Sequence, residues 1–264
     1  MKYLFCLISF FSIVPVFSQS QLRVLGLSQP VDIKVDPFGV PHIYAKNEND
    51  MFFAQGFQAA SDRLFQFEIW RRQARGLISE ILGEREIKKD IGSRLFKFRG
   101  DLISEYNHYH PNGYNIIHSF VDGVNAAIDL AISKSDSLPV EFKLLGIKPE
   151  HLKAEDIISR HQGLLGNLVD EWETAMLVNK IGESKTREIS WFHPDTPDLY
   201  LDTIVKEVLS YPDVIDLYKA FKQPVTFKPE DILAISDRNS KELFLTLNAE
   251  LLKDQEALKN ERQV

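Results

Sequence analysis

Between residues 31 and 45 the apolar positions recur at every second residue. Val31, Ile33 and Val35 alternate with Asp32 and Lys34, "DPFG" follows with Pro37 and Gly39 at turn positions, and "VPHIYA" returns. A period of two interrupted by turn residues predicts a β-hairpin half-buried on one face. Pro41 suits a strand start or an edge, because its nitrogen has no hydrogen to give to a ladder.

The period then lengthens. Asn47, with Asp50 three residues on, predicts a helix start of the capping-box kind. Phe53, Phe57, Ala60, Leu64 and Phe67 follow at spacings of four, three, four and three, which places them on one helical face. Ala74, Ile78 and Ile81 extend the stripe, and Gly83 is the expected stop. From about Asp101 the patterning is helical, with segments expected over 119–133, 154–181, 199–209 and 241–262. Prolines 139, 149, 194, 197, 212, 224 and 229 mark the breaks. The fold class is therefore α+β and mostly helical. A lone hairpin is marginal in water, so this one needs strands from elsewhere.

The first residues, "MKYLFCLISFFSIVPVFSQS", set Lys2 before an uncharged apolar run that ends near Phe17. Val16 and Ser18 are small enough for a cleavage site, so 1–18 is expected to be a signal peptide cut after Ser18. The run is short for a bilayer and a polar stretch follows, so no membrane anchor is expected after cleavage. The expected location is secreted, in the periplasm. Cys6, the sole cysteine, leaves with the leader and has no small-residue lipobox before it. The mature body then has no disulfide, thiolate nucleophile or cysteine-held zinc. Removing Lys2 leaves 30 basic against 38 acidic residues, a balance of −8 that disfavours nucleic acid or anionic lipid as partner. At 44% hydrophobic the chain can bury one large core or two small ones.

Chemistry is concentrated visually in "DRLFQFEIWRR", residues 62–72. Glu68 precedes Arg71 by three and Arg72 by four, spacings at which helical side chains meet. Guanidinium groups fork onto carboxylates, and the local acids are too few for all the arginines. Two readings stand: a solvated charged face, or a helix buried on both sides whose arginines meet acids of another segment or chain. Elsewhere, "HYH" at 108–110 lacks a third metal ligand and reads as a solvated turn. No G-x-S-x-G elbow accompanies the seven histidines. Ser240 has only 24 residues after it, too few to rebuild a sheet.

Residues 39–83, "GVPHIYAKNENDMFFAQGFQAASDRLFQFEIWRRQARGLISEILG", resemble the N-terminal signature of the penicillin acylase (penicillin amidase) family. The likeness lies in the "GVPHI" strand, "A-x-DRL-x-Q-x-E" and "RR-x-A-x-G…E-x-LG". It continues more weakly through 122–129, 146–157 and 216–232. The resemblance implies an N-terminal-nucleophile hydrolase with an αββα sheet sandwich, made as one precursor and cut into α and β chains. The β chain's first serine attacks an amide carbonyl, with its own α-amino group as base. That serine begins "SN-x-W" in the family, a tetrapeptide this sequence lacks. The resemblance thus implies a signal at 1–18, an α-chain-like segment at 19–228 and a spacer-like helical segment at 229–264. The nucleophile would lie on a β chain, encoded in the same precursor or a neighbouring reading frame. No catalytic residue is then expected here. The partners would be that β chain and a small-molecule amide.

By the same resemblance Glu171 would ligate a structural calcium shared with the β chain, with Asp170 and Glu173 as substitutes. No organic cofactor is implied. Leu164 and Leu165, beside Asn167, would line the acyl pocket with aliphatic rather than aromatic groups, which favours linear acyl chains. The alternative is a truncated or non-catalytic α-like module that binds a partner or an acyl compound without turnover.

Overall fold

The computed structural model describes residues 21–134, 138–159, 167–193, 197–211, 213–228 and 231–232. The leader, Leu164, Leu165, Ser240 and the expected helix 241–262 lie outside the described residues.

The hairpin forms as its alternation predicts. Strands β1 (Asp32–Val35) and β2 (Pro41–Tyr44) pair antiparallel, with Ile33 opposite Ile43 and Val35 opposite Pro41. Asp36 holds the turn: its Oδ1 accepts from the N–H groups of Phe38 and Val40, both at 2.9 Å. Ile33 and Ile43 are half-buried, whereas Val35, Phe38, Val40 and Tyr44 are exposed.

Helix α1 (Glu48–Arg75) starts where expected, Asn47 Oδ1 accepting from the Asp50 N–H at 2.8 Å. Asp50 does not return the favour to the Asn47 N–H. Its carboxylate is buried and accepts from the Ser28 N–H, the Ser28 hydroxyl, the Gln29 N–H and the Asn47 amide. The residue thereby staples the N-terminal segment to the helix. Backbone dihedrals at Arg63 (φ −136°, ψ 40°) kink α1 near its middle.

Here the structure corrects the expected stop at Gly83. Helix α1 ends at Gly76, which takes the left-handed conformation (φ 67°, ψ 53°) that disfavours side chains with a Cβ. A separate turn, α2 (Ser79–Leu82), follows and ends at Gly83. The apolar period crosses the break because Ile69, Ile78, Ile81 and Leu82 pack in one cluster. Asp90 captures the start of α2, its carboxylate accepting from the Ile78 N–H, the Ser79 N–H and the Ser79 hydroxyl.

Helix α3 (Ile87–Leu95) and α4 (Leu102–His108) lead to α5 (Gly113–Ser133), the long partner of α1. The main core forms between them, from Ala60, Leu64 and Phe67 against Val121, Val124, Ala127 and Ile128. Two glycines set their separation. A Cβ added at Gly56 would lie 2.0 Å from the Phe120 carbonyl oxygen, and one at Gly123 only 1.9 Å from that of Phe53. The two backbones are in contact, and each glycine faces the other helix.

Helix α6 (Val140–Leu145) closes one end of this core with Phe142. Of the helix expected over 154–181, the described residues form α7 (Ala154–Ser159) and α8 (Leu168–Ile181), and 160–166 lie outside them. Helix α9 (Glu183–Ile189) follows Gly182. Helix α10 (Thr203–Leu209) begins four residues later than expected, where Asp202 accepts from the Val205 N–H at 2.7 Å. Helix α11 (Asp213–Lys222) lies against α3, its backbone admitted by Gly92, whose added Cβ would meet the Leu217 carbonyl oxygen at 2.3 Å.

Beyond α11 the chain is tied back to α3 and its approach. Lys89 Nζ donates to the carbonyls of Gln223, Ala220 and Pro224, at the C-terminal end of α11. Burial pushes the Lys89 ammonium pKa down, Glu86 and Asp90 opposing. Arg85 forks onto Asp231 and also donates to the Thr226 carbonyl. Asp231 is held below the ordinary carboxylate range: burial raises its pKa, but the Arg85 and Lys228 N–H bonds outweigh it.

Candidate functional site

The arginine-rich stretch forms an enclosed charge network. Glu68 and Arg71 are each only 1% exposed, and Arg72 is buried beside them. Glu68 Oε1 accepts from Arg71 Nη2 and Arg72 Nε, both at 2.7 Å. Its Oε2 accepts from Arg71 Nε at 2.9 Å and from the Glu150 N–H at 3.1 Å. Arg72 reaches on to Glu80, and Arg75 forks onto Asp156 at 2.9 and 2.7 Å. The Asp156 bond raises the Arg75 pKa, burial opposing it.

This geometry decides between the two sequence readings and corrects part of both. Glu68, Arg71 and Arg72 are buried while Asp62, Arg63 and Gln66 stay exposed, and the acids that meet Arg71, Arg72 and Arg75 belong to this chain. Pairs such as Arg75 with Asp156 join residues 81 positions apart, which is why local sequence showed too few acids. Both Glu68 oxygens are saturated, so no lone pair remains to take a proton from a substrate. The network is scaffold. With Asn125, which exchanges two hydrogen bonds with the backbone of Leu152, it straps the 150–156 segment across α1 and α5.

Glu171 stands in the first turn of α8, exposed, with Asp170 and Glu173 exposed beside it. One Glu171 oxygen takes the Asn167 amide, which leaves the other for a ligand from solvent or a partner. Among the described residues no three His, Cys, Asp or Glu side chains converge to hold a metal. Glu171 thus offers a single hard oxygen ligand or two. Leu164 and Leu165, expected beside it, lie outside the described residues.

Two histidines hold aspartates: His42 with Asp36 at 3.1 Å and His151 with Asp129 at 2.6 Å. Among the described residues neither ring bonds a serine or threonine hydroxyl, so neither pair forms a triad. The "HYH" stretch sits at the exposed end of α4, where His110 Nδ1 accepts from the Asn112 N–H. An apolar cavity of about 150 Å³ lies between Phe65, Leu144, Leu145, Phe227 and Ile232. Sequence reading missed this cavity, since its walls come from four separate stretches.

The remaining distinctive surface is apolar. Phe38 at the hairpin tip is 91% exposed, Trp191 and Tyr200 are exposed between α9 and α10, and Ile204 is exposed in the first turn of α10. Both outer edges of the two-stranded sheet lack a third strand among the described residues.

Comparison with known proteins places these features. Residues 30–196 match the family described as penicillin amidase. The chain is 36% identical over 129 residues to penicillin acylase 2 proenzyme of Pseudomonas sp. (strain SE83), covering 49% of this chain and 16% of that protein. It is 30% identical over 141 residues to penicillin G acylase of Escherichia coli, covering 53% and 17%. With acyl-homoserine lactone acylase QuiP of Pseudomonas aeruginosa it shares 30% identity over 179 residues, covering 66% and 20%. It therefore spans only 16% to 20% of the length of these relatives. Among solved structures, a thermostable penicillin G acylase from Alcaligenes faecalis superposes with a TM-score of 0.52 at 24% identity. That match covers 67% of this chain and 99% of the other.

Proposed function

Because this chain belongs to the penicillin amidase family, we propose that it is the α portion of an exported amide hydrolase that separates an acyl group from an amine. The observation that carries the reading is one of extent: two thirds of this chain corresponds in fold to 99% of a chain from a penicillin G acylase. The nucleophile then belongs to a β chain, as a serine at its N-terminus. A terminal amine titrates at about 7.7–8, so the serine's own α-amino group can take the hydroxyl proton at neutral pH. Donors of the β chain would hold the oxyanion.

The α portion supplies support. The charge network, with Glu68 saturated and the arginines neutralised, fixes α1 against α5, and the hairpin presents open edges and an exposed apolar tip to further strands. Calcium takes about six to eight oxygen ligands, so Glu171 would contribute one carboxylate to a site completed by the β chain. When bound, the ion would tie α8 to the partner electrostatically. Leu164 and Leu165 would give the acyl pocket an aliphatic wall, favouring a linear acyl chain over one that needs ring stacking. The leader would deliver the precursor to the periplasm.

The test is co-production of this chain with a β chain encoded in the same precursor or a neighbouring reading frame, followed by assay on octanoyl and phenylacetyl p-nitroanilides. Turnover is expected only when both polypeptides are present, with the octanoyl amide preferred. Hydrolysis by this chain alone, abolished by replacing one of its own serines, would overturn the proposal.

A further inference from the structure

One atom of the charge network is not accounted for by its protein partners. Arg71 Nη1 is buried and makes no hydrogen bond within the protein. Glu150 Oε2 lies 3.1 Å away, but off the direction of the N–H bonds, and the Glu150 side chain is 61% exposed. A buried guanidinium hydrogen left without an acceptor costs roughly 1–3 kcal/mol or more.

Beside it is a small void. Phe67, Trp70, Arg71, Leu152, Asp156 and Ile157 line a narrow, partly open recess of about 10 Å³. A void holds one water once that volume reaches about 10–15 Å³ and two or more polar groups face it. Asp156 meets the second condition. Its Oδ2 already accepts from Arg75 Nη2 and the Lys153 N–H, whereas Oδ1 accepts only from Arg75 Nε among the described residues. A carboxylate oxygen has room for a second donor.

We infer that this void is a binding site for a single buried water molecule, which accepts from Arg71 Nη1 and donates to Asp156 Oδ1. An anion is disfavoured there, because Glu68, Glu80, Glu150 and Asp156 outnumber the guanidiniums of Arg71, Arg72 and Arg75. A methyl-sized group is too large and would leave Nη1 unsatisfied. The water links two sets of ion pairs that otherwise share no hydrogen bond: Glu68 with Arg71 and Arg72, and Arg75 with Asp156. The strapped 150–156 segment thereby rests on one continuous network.

The inference is tested by crystal structures of the protein as isolated, with any partner chain it carries, for wild type and Glu150→Ala. Both are expected to show one density peak at about 2.7–3.2 Å from Arg71 Nη1 and from Asp156. A dry void, or Arg71 turned so that Nη1 bonds Glu150 directly, overturns it. Thermal unfolding gives an independent reading. Glu150→Ala removes an exposed carboxylate that lies near Nη1 without accepting a hydrogen bond from it, and should lower Tm by no more than about 2–4 °C. A larger fall would make Glu150 the true partner of Nη1 and would also overturn the inference.

Discussion

Glu68 accepts four hydrogen bonds, three of them from the two buried arginines Arg71 and Arg72. Replacing it with alanine removes the buried carboxylate that Arg71 and Arg72 share, so Glu68→Ala should cost about 3–5 kcal/mol in urea unfolding. Glu80→Ala, which removes an exposed partner of Arg72, should cost under about 1 kcal/mol. Asp50 gives a pH-dependent counterpart. Burial raises its pKa, but hydrogen bonds from Ser28, Asn47 and Gln29 outweigh this and hold it below the usual carboxylate value. Its contribution is then complete above about pH 4 and is lost as pH falls through the lowered folded-state value. Asp50→Asn should lower Tm at neutral pH and flatten the acid limb of a Tm-against-pH series. At this scale local signals were legible and distant ones were not. Asn47 announces its cap by spacing alone, whereas nothing near Arg75 in the chain announces Asp156.

At the scale of elements the decisive feature is the reciprocal glycine contact of α1 with α5. Gly123→Ala must push the Phe53 backbone away, and Gly56→Ala the Phe120 backbone, because the obstructing atoms are carbonyls that cannot rotate aside. Each substitution should destabilise by about 1–3 kcal/mol by equilibrium denaturation. The double variant should fall short of the sum, since both relieve the same crowding. The apolar period located α1 and the hairpin because each buries one face. It carried α1 past its true end, because Ile78 and Ile81 return to the same side after the reversal at Gly76. Periodicity reports which residues face the core and is silent on whether the backbone between them is continuous. The short helices α9 and α10 offered too few turns for the pattern to fix their starts.

The described residues expose several large apolar side chains, among them Phe38 and Trp191, which is 84% exposed. Contiguous exposed apolar surface marks interaction sites or a tendency to aggregate. On size-exclusion chromatography the chain alone is expected to self-associate, and co-production with the neighbouring polypeptide should return a defined heteromeric species. In that species Glu171→Gln should weaken the dependence of Tm on calcium, while leaving the isolated chain unchanged. The hairpin with many helices was legible from sequence, and among the described residues it stays a two-stranded sheet with open edges. The site was much less so: of the residues singled out, Glu171 stands exposed on α8, and its proposed ligand role depends on atoms from another polypeptide.

The cations on either side of α3's first turn have a consequence for how the chain tolerates scission. Lys89 and Arg85 moor the stretch from Ala220 to Asp231, and among the described residues every tether they make to that stretch lies upstream of Ile232. Severing the polypeptide farther along would leave all of those moorings in place.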